Sequence, residues 1–127
     1  MIYLIIGRIL LGGYFIKSAF NHFKNVDMLA GYAQSKGVPM PKAGVLVTGA
    51  MMVLGGLGIL LGVYIQLSVF LLSLFLILTT FKMHQYWKVT DQMARMGEHI
   101  NFYKNLALLG AILLLLAIPT PWAGALF

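Results

Sequence analysis

The sequence predicts an all-α membrane protein, a four-transmembrane-helix up-down-up-down bundle with short interfacial helices in its two long loops. Of its 127 residues, 61% are hydrophobic and only 9% are charged. The mean hydropathy of +0.91 is higher than a soluble domain of this size can sustain. Four apolar runs are each long enough to cross the hydrocarbon layer, which takes about 20 helical residues. We therefore expect one membrane domain covering residues 1–127.

The apolar runs place the four spans at about 2–23, 43–64, 65–81 and 101–118. The first run has no basic leader and no small-residue cleavage site, so we interpret it as a retained span, with a cleaved signal peptide as the alternative. Pro39 and Pro41 suit a loop or the first turn of the second span. The link at 62–66 is so short that it requires a tight antiparallel turn, and Pro119 stops the fourth span.

Lysine and arginine residues outside the spans are concentrated in two of the three loops. They are Lys24, Lys36 and Lys42 in the first loop, and Lys82, Lys88, Arg95 and Lys104 in the third. Cytoplasmic loops of membrane proteins carry such an excess of cations. We therefore predict that both long loops face the cytoplasm and that both termini lie outside.

The first long loop carries the pattern of a helix lying on the membrane surface. Within residues 27–36, Met28, Leu29 and Tyr32 share one helical face, and Gly37 is a suitable C-terminal stop.

Small residues are expected to set the packing of the spans. Gly55, Gly58 and Gly62 form a groove along the second span, and Ala107 and Ala111 make a weaker pair on the fourth; we expect packing inside the bundle, with a dimer seam as the alternative.

Residues 82–105 form a polar island between two apolar runs, and they hold two of the three acids and two of the three histidines. We predict His84, Glu98 and His99 as catalytic groups, because histidine changes its protonation near neutral pH and a carboxylate can exchange protons with it. Glu98 also has a structural interpretation, since an acid suits the first turn of a helix. Thr90 is a candidate cap for a second interfacial helix that carries Met93 and Met96 and leads into the fourth span.

Polar side chains inside the first span are costly unless they find partners. We expect Arg8 to share its donors with Gln66, Tyr64 and carbonyls near Ile118, as a structural anchor or as a ligand site. Lys17 is expected to pair with Glu98 or Asp91, or else to snorkel to the interface. The full predicted ligand-binding set is Arg8, Lys17, Asn21, His22, Trp87, Lys104 and Asn105.

Composition also excludes several classes of site. The chain has no cysteine, so thiol relays, disulfides and iron–sulfur ligation are absent, and electrons for a redox role must come from a partner. We expect no metal site, because His22, His84, His99 and Glu98 come from separate segments without a local pair of ligands. The net charge is +6, and the cations that produce it flank the spans. We therefore expect lipid headgroups rather than nucleic acid as the anionic partner.

Four segments carry a resemblance to a known family. They are GRILLGGYFIKSAFNHF, KGVPMP, FKMHQYW and DQMARMGEHINFYKNLALLGA. Together they resemble the DoxX family, small four-span proteins of the bacterial or archaeal cytoplasmic membrane, some linked to a thiosulfate:quinone oxidoreductase and some to membrane complexes that counter oxidative stress. The resemblance singles out Arg8, His22, His84, Trp87, Glu98, His99, Lys104 and Asn105. Gln85 departs from it, because relatives often have an acid after this histidine.

The resemblance and the polar island together imply a membrane subunit or accessory of a quinone-linked oxidoreductase. A non-covalently bound quinone would be held by His84 or Lys17, with Glu98 and His99 delivering protons. The partners of the protein would be membrane or cytoplasmic oxidoreductase subunits. The alternative is a non-catalytic assembly or scaffold subunit, and a homo-oligomer is a further alternative. Transport of small molecules is disfavoured, because the spans carry no acid in their cores.

Overall fold

The computed structural model describes residues 2–122, which are mostly helical and contain no strand. The helices are α1 (Ile2–Lys24), α2 (Val26–Ser35), α3 (Pro41–Leu61), α4 (Ile65–Met83) and α5 (Gln92–Leu114), with 3-10 turns at Tyr86–Lys88 and Leu115–Ala117. The segments built on α1, α3, α4 and α5 are long and apolar enough to cross a membrane. The predicted all-α, four-span architecture is confirmed.

The helices pack in the order α1, α3, α4, α5, with α2 lying mainly against α3. Phe15 of α1, Met52 and Ile59 of α3, Leu72 of α4 and Ile112 of α5 are almost completely buried between them. Most of the remaining large apolar side chains of the spans point outward. In lipid this arrangement is stable, since outward apolar side chains are solvated by hydrocarbon rather than by water.

Two helix ends follow from local chemistry. Gly62 adopts a left-handed conformation with φ of 73° that ends α3, and the tight turn after it leads directly into α4. The carboxylate of Asp91 accepts a hydrogen bond of 2.9 Å from the Ala94 amide and caps α5. The prediction that Thr90 is this cap was wrong, because the acid one residue later occupies the N-cap position.

The predicted short helix of the first loop is confirmed as α2, and Gly37, with φ of 80°, follows it. The predicted second interfacial helix is not separate. Instead, α5 runs without a break from Gln92 to Leu114, so the helix begins well before residue 101, where the fourth span was predicted to start. Hydropathy marks where lipid begins, whereas the polar residues before it favour helix equally well and contain no proline. The polar residues of the island from 92 to 105 therefore project from the N-terminal part of one long helix.

Glycines allow the spans to approach closely. A Cβ atom at Gly12 would lie 2.8 Å from the carbonyl oxygen of Gly56, and one at Gly56 would lie 3.0 Å from that of Gly12. Gly55 faces Leu72 of α4, and a Cβ there would lie 2.5 Å from its Cγ. These contacts confirm that small residues of α3 pack inside the bundle. The Gly12–Gly56 contact was not predicted from the sequence.

Arg8 is buried at the opposite end of the bundle from α2. Its Nε donates to the carbonyl of Ile59 at 3.3 Å and its Nη2 donates to that of Leu60 at 2.9 Å. Its guanidinium carbon also lies 5.9 Å from the centre of the Trp122 ring. Both carbonyls belong to the last turn of α3, which had not been predicted as a partner of Arg8. The partial negative charge of a helix C-terminus suits a cation, so Arg8 fastens α1 to α3.

Candidate functional site

Glu98 is the centre of a polar cluster that joins α2, the end of α4 and α5. The hydroxyl of Tyr32 donates to Glu98 Oε1 at 2.7 Å, and Nδ1 of His84 lies 3.1 Å from Oε2. Nζ of Lys36 lies 3.7 Å from the same Oε2. A carboxylate only accepts hydrogen bonds, so Nδ1 of His84 is the donor in its pair. One acid therefore connects three helical segments that are far apart in the sequence.

The cluster is shielded but still reaches water. The side chains of Glu98 and His84 are 13% and 14% exposed, and that of Lys36 is 21% exposed. Burial raises the pKa of Tyr32, and the hydrogen bond and negative charge of Glu98 raise it further. Tyr32 therefore keeps its proton and stays a donor to Glu98 at physiological pH.

A cavity of about 540 Å³ lies beside this cluster. It is enclosed by the end of α1, one side of α2, the first turns of α3 and the last turns of α4, and most of its walls are apolar. Its polar lining residues are His22, Tyr32, Thr48, Thr79, Lys82 and His84. Tyr32 and His84 belong both to the cavity and to the Glu98 cluster, so Glu98 lies directly behind the cavity wall.

His22 lies on the α1 side of the cavity. Its Nδ1 is 3.0 Å from the carbonyl oxygen of Ser18, which only accepts, so this nitrogen carries the proton. The ring packs edge-on to Phe75, with 6.1 Å between centroids. The carbonyl and the aromatic ring together hold the orientation of the imidazole.

The predicted ion pair of Lys17 was wrong. Lys17 is exposed on α1, and Glu98 pairs with Lys36 instead. The reason is that α2 packs over α3 and brings Lys36, one turn after Tyr32, to the acid. Asn21 lies outside the cavity lining, and its Oδ1 accepts a hydrogen bond from Asn25.

Besides Glu98, which lies behind the cavity wall, five other predicted site residues lie outside the cavity lining: His99, Trp87, Lys104, Asn105 and, at the opposite end of the bundle, Arg8. The ring of His99 packs against Tyr86 and Tyr103, at centroid distances of 4.6 and 4.9 Å. Trp87 packs edge-on to Phe102, whereas Lys104 is exposed and Asn105 is buried. Between residues 2 and 122, no group of three or more histidine or acidic side chains is arranged to hold a metal ion.

Sequence reasoning missed Tyr32, Lys36, Thr48 and Lys82 as site residues. The sequence did offer a reason to consider Tyr32, since it lies on the apolar face of the predicted interfacial helix. Lys36 and Lys82 were recognised only as loop cations that set the orientation. Their contribution depends on how α2 folds back over α3, which no local pattern encodes.

The fold and the site define a small polytopic membrane protein with an apolar cavity at one end of its bundle. The DoxX family matches residues 3–85, more than half of the chain, and the chain therefore belongs to the DoxX family. The match covers α1 to α4 and ends at Gln85, so Glu98 and the rest of α5 lie beyond it. No curated protein and no solved structure matches the chain.

Proposed function

We propose that this protein is a membrane subunit of a quinone-linked oxidoreductase and that the cavity beside Glu98 binds the head group of a quinone. The observation that carries the proposal is the pairing of an apolar cavity with a carboxylate–histidine cluster at its wall. The cavity volume of about 540 Å³ suits a small-molecule site, which typically occupies about 300–1,000 Å³. Apolar walls suit the ring, and the surrounding lipid suits the tail.

Reduction of a quinone to a quinol takes two electrons and two protons. In this proposal the electrons come from a redox carrier on a partner subunit. Protons pass between the aqueous side, Glu98 and His84, because Glu98 is partly exposed and His84 lines the cavity. Lys82, which also lines the cavity, replaces Lys17 as the candidate cation for the head group. His99 receives no role in proton transfer, since its ring packs against tyrosines.

The distribution of cations supports the orientation in which this site lies on the cytoplasmic side of the membrane. Lys36, Lys82 and Lys88 belong to the same end of the bundle as the cavity. The proposal therefore takes protons from the cytoplasm and requires an electron donor that reaches the cytoplasmic boundary.

Filling the cavity should weaken quinone binding. A Cβ atom at Gly44, a lining residue, would lie 3.7 Å from Val38 Cγ1, an ordinary contact, so Gly44→Phe is expected to fold and to occlude the cavity. We expect the affinity for a short-tailed benzoquinone, measured by calorimetry on protein in nanodiscs, to fall at least about tenfold, or about 1.4 kcal/mol.

The matched control is Gly13→Phe on α1, where no atom lies within 4 Å of the added Cβ. This variant is expected to bind the quinone as the wild type does, and circular dichroism verifies the helical content of both variants. The proposal fails if the wild-type protein binds no quinone, or if Gly44→Phe binds it as tightly as Gly13→Phe.

A docking function is favoured by one observation. Met93 and Met96, on the first turns of α5, are 79% and 55% exposed at the polar end of the bundle. Methionine side chains adapt to many apolar partners. If docking is the function, serine at both positions should remove co-purifying membrane proteins, while His84→Ala retains them. Retention of partners by both variants, with quinone binding lost only in His84→Ala, would reject docking through these methionines.

A further inference from the structure

Three polar side chains of the cavity wall already use their protons in hydrogen bonds within the protein. The Tyr32 hydroxyl donates to Glu98 at 2.7 Å, and the Thr48 hydroxyl donates to the Gly44 carbonyl of its own helix at 2.8 Å. Nδ1 of His22 donates to the Ser18 carbonyl at 3.0 Å. In each pair the partner is a carbonyl or carboxylate oxygen, which only accepts, so the direction of the hydrogen bond is determined.

Each of these groups keeps a lone pair for a ligand. A neutral imidazole that donates from Nδ1 presents an acceptor at Nε2, and Nε2 of His22 makes no hydrogen bond within residues 2–122. The oxygens of Tyr32 and Thr48 can each accept another hydrogen bond. The wall is therefore rich in acceptors.

Donors are fewer and lie toward the edge of the site. Lys82 lines the cavity and is exposed, and His84, whose Nδ1 already donates to Glu98, offers a second donor at Nε2 only in its cationic form. The hydroxyl of Thr79 can rotate to donate or to accept. Because acceptors outnumber donors in the lining, the cavity favours a ligand whose hydroxyl groups donate hydrogen bonds.

We propose, on the basis of the quinone-binding function above, that the cavity prefers the reduced form of its ligand, a hydroquinone, over the oxidised dione. A hydroquinone donates two hydrogen bonds and satisfies acceptors such as His22 Nε2 and Thr48 Oγ1. A dione offers only acceptors, so lone pairs would face lone pairs in an apolar enclosure, where an unpaired polar group is costly. The hydroquinone should bind at least about tenfold more tightly, a difference of about 1.4 kcal/mol.

This preference has a consequence for electron transfer. Tighter binding of the reduced form raises the midpoint potential of the bound couple, and tenfold corresponds to about 30 mV for a two-electron couple. The bound quinone is then a better electron acceptor than the free quinone in the membrane. The site would thus favour transfer of electrons from the partner subunit onto the bound quinone.

The test compares the two redox forms of one ligand. Dissociation constants of a short-tailed benzoquinone and of its hydroquinone are measured anaerobically on the full chain in nanodiscs. In His22→Leu and in Thr48→Val, the hydroquinone affinity should fall about fivefold or more while the quinone affinity changes little, because each variant removes one acceptor. His99→Leu is the matched control, since His99 lies outside the cavity lining, and it should keep the wild-type preference.

The outcomes separate this inference from the proposed function. If neither form binds, the quinone-binding function fails and the preference falls with it. If both forms bind equally, or the quinone binds more tightly, the preference is overturned while the proposed function stands. A preference that persists in both His22→Leu and Thr48→Val would also overturn the inference, because those acceptors would not be its source.

Discussion

Replacing Gly12 with valine is expected to lower the free energy of unfolding by roughly 2–3 kcal/mol, as overpacking of a tight interface does. The Cβ atom would lie 2.8 Å from the Gly56 carbonyl oxygen and 3.1 Å from the Leu60 amide nitrogen. Both contacts are with backbone, which cannot rotate away as a side chain can. The strain would open the interface of α1 with α3, the most extensive helix pair of the bundle.

The interface is sensitive because lipid removes the usual driving force. Hydrocarbon solvates apolar side chains as well as a protein core does, so helices associate in membranes through close packing and polar contacts. In this protein the α1–α3 pair combines the Gly12–Gly56 contact with the hydrogen bonds of Arg8 to the end of α3. Separation of the backbones at Gly12 would weaken both.

Gly13→Val is the matched control, because it adds the same side chain to the same helix one residue later. No atom lies within 4 Å of a Cβ at Gly13. Unfolding of both variants in mild detergent by steric trapping gives the free energies to compare. Equal losses in the two variants would show that helix propensity, rather than the contact with Gly56, is responsible.

Glu98→Ala is expected to detach α2 from α5. It removes the acceptor of Tyr32 and His84 and the partner of Lys36. Hydrogen bonds to a charged group contribute about 1.5–3 kcal/mol each, whereas the longer contact with Lys36 contributes little because solvent screens it. We expect amide exchange in Val26–Ser35 to become roughly thirtyfold faster, corresponding to about 2 kcal/mol.

Asp27→Ala provides the control on α2 itself. Asp27 pairs with Lys42 at 3.7 Å, but the two side chains are 96% and 68% exposed, so this pair should contribute almost nothing. Hydrogen–deuterium exchange in nanodiscs should therefore leave α2 of Asp27→Ala as protected as in the wild type. Unchanged exchange in Glu98→Ala would mean that the packing of α2 on α3 alone holds it in place.

The double-mutant cycle of Glu98→Ala with Tyr32→Phe measures how much of this effect passes through one hydrogen bond. Tyr32→Phe removes the phenol donor and keeps the ring. Because both residues are in contact, the two losses should be less than additive. Additive losses would show that the Tyr32–Glu98 hydrogen bond does not carry the effect.

Most of the fold could be predicted, because hydropathy and turn chemistry are local properties. Four apolar runs indicated the four spans, and Gly37 and Gly62 lie where helices end. The polar start of α5 was separated from its apolar part, although both belong to one helix. That error arose because hydropathy reports the solvent around a helix and not the continuity of its hydrogen bonds.

The sequence by itself determined the four candidate spans and the short helix of the first loop, since these follow from residue types and their spacing. It also singled out His84 and Glu98, which the structure brings to 3.1 Å from each other. Only the tertiary structure decided that Lys36 rather than Lys17 is the partner of Glu98. It also decided that His22, Tyr32 and His84 line one cavity. The physical reason is that these distances depend on how the helices rotate and approach, which is set by backbone contacts such as Gly12 with Gly56.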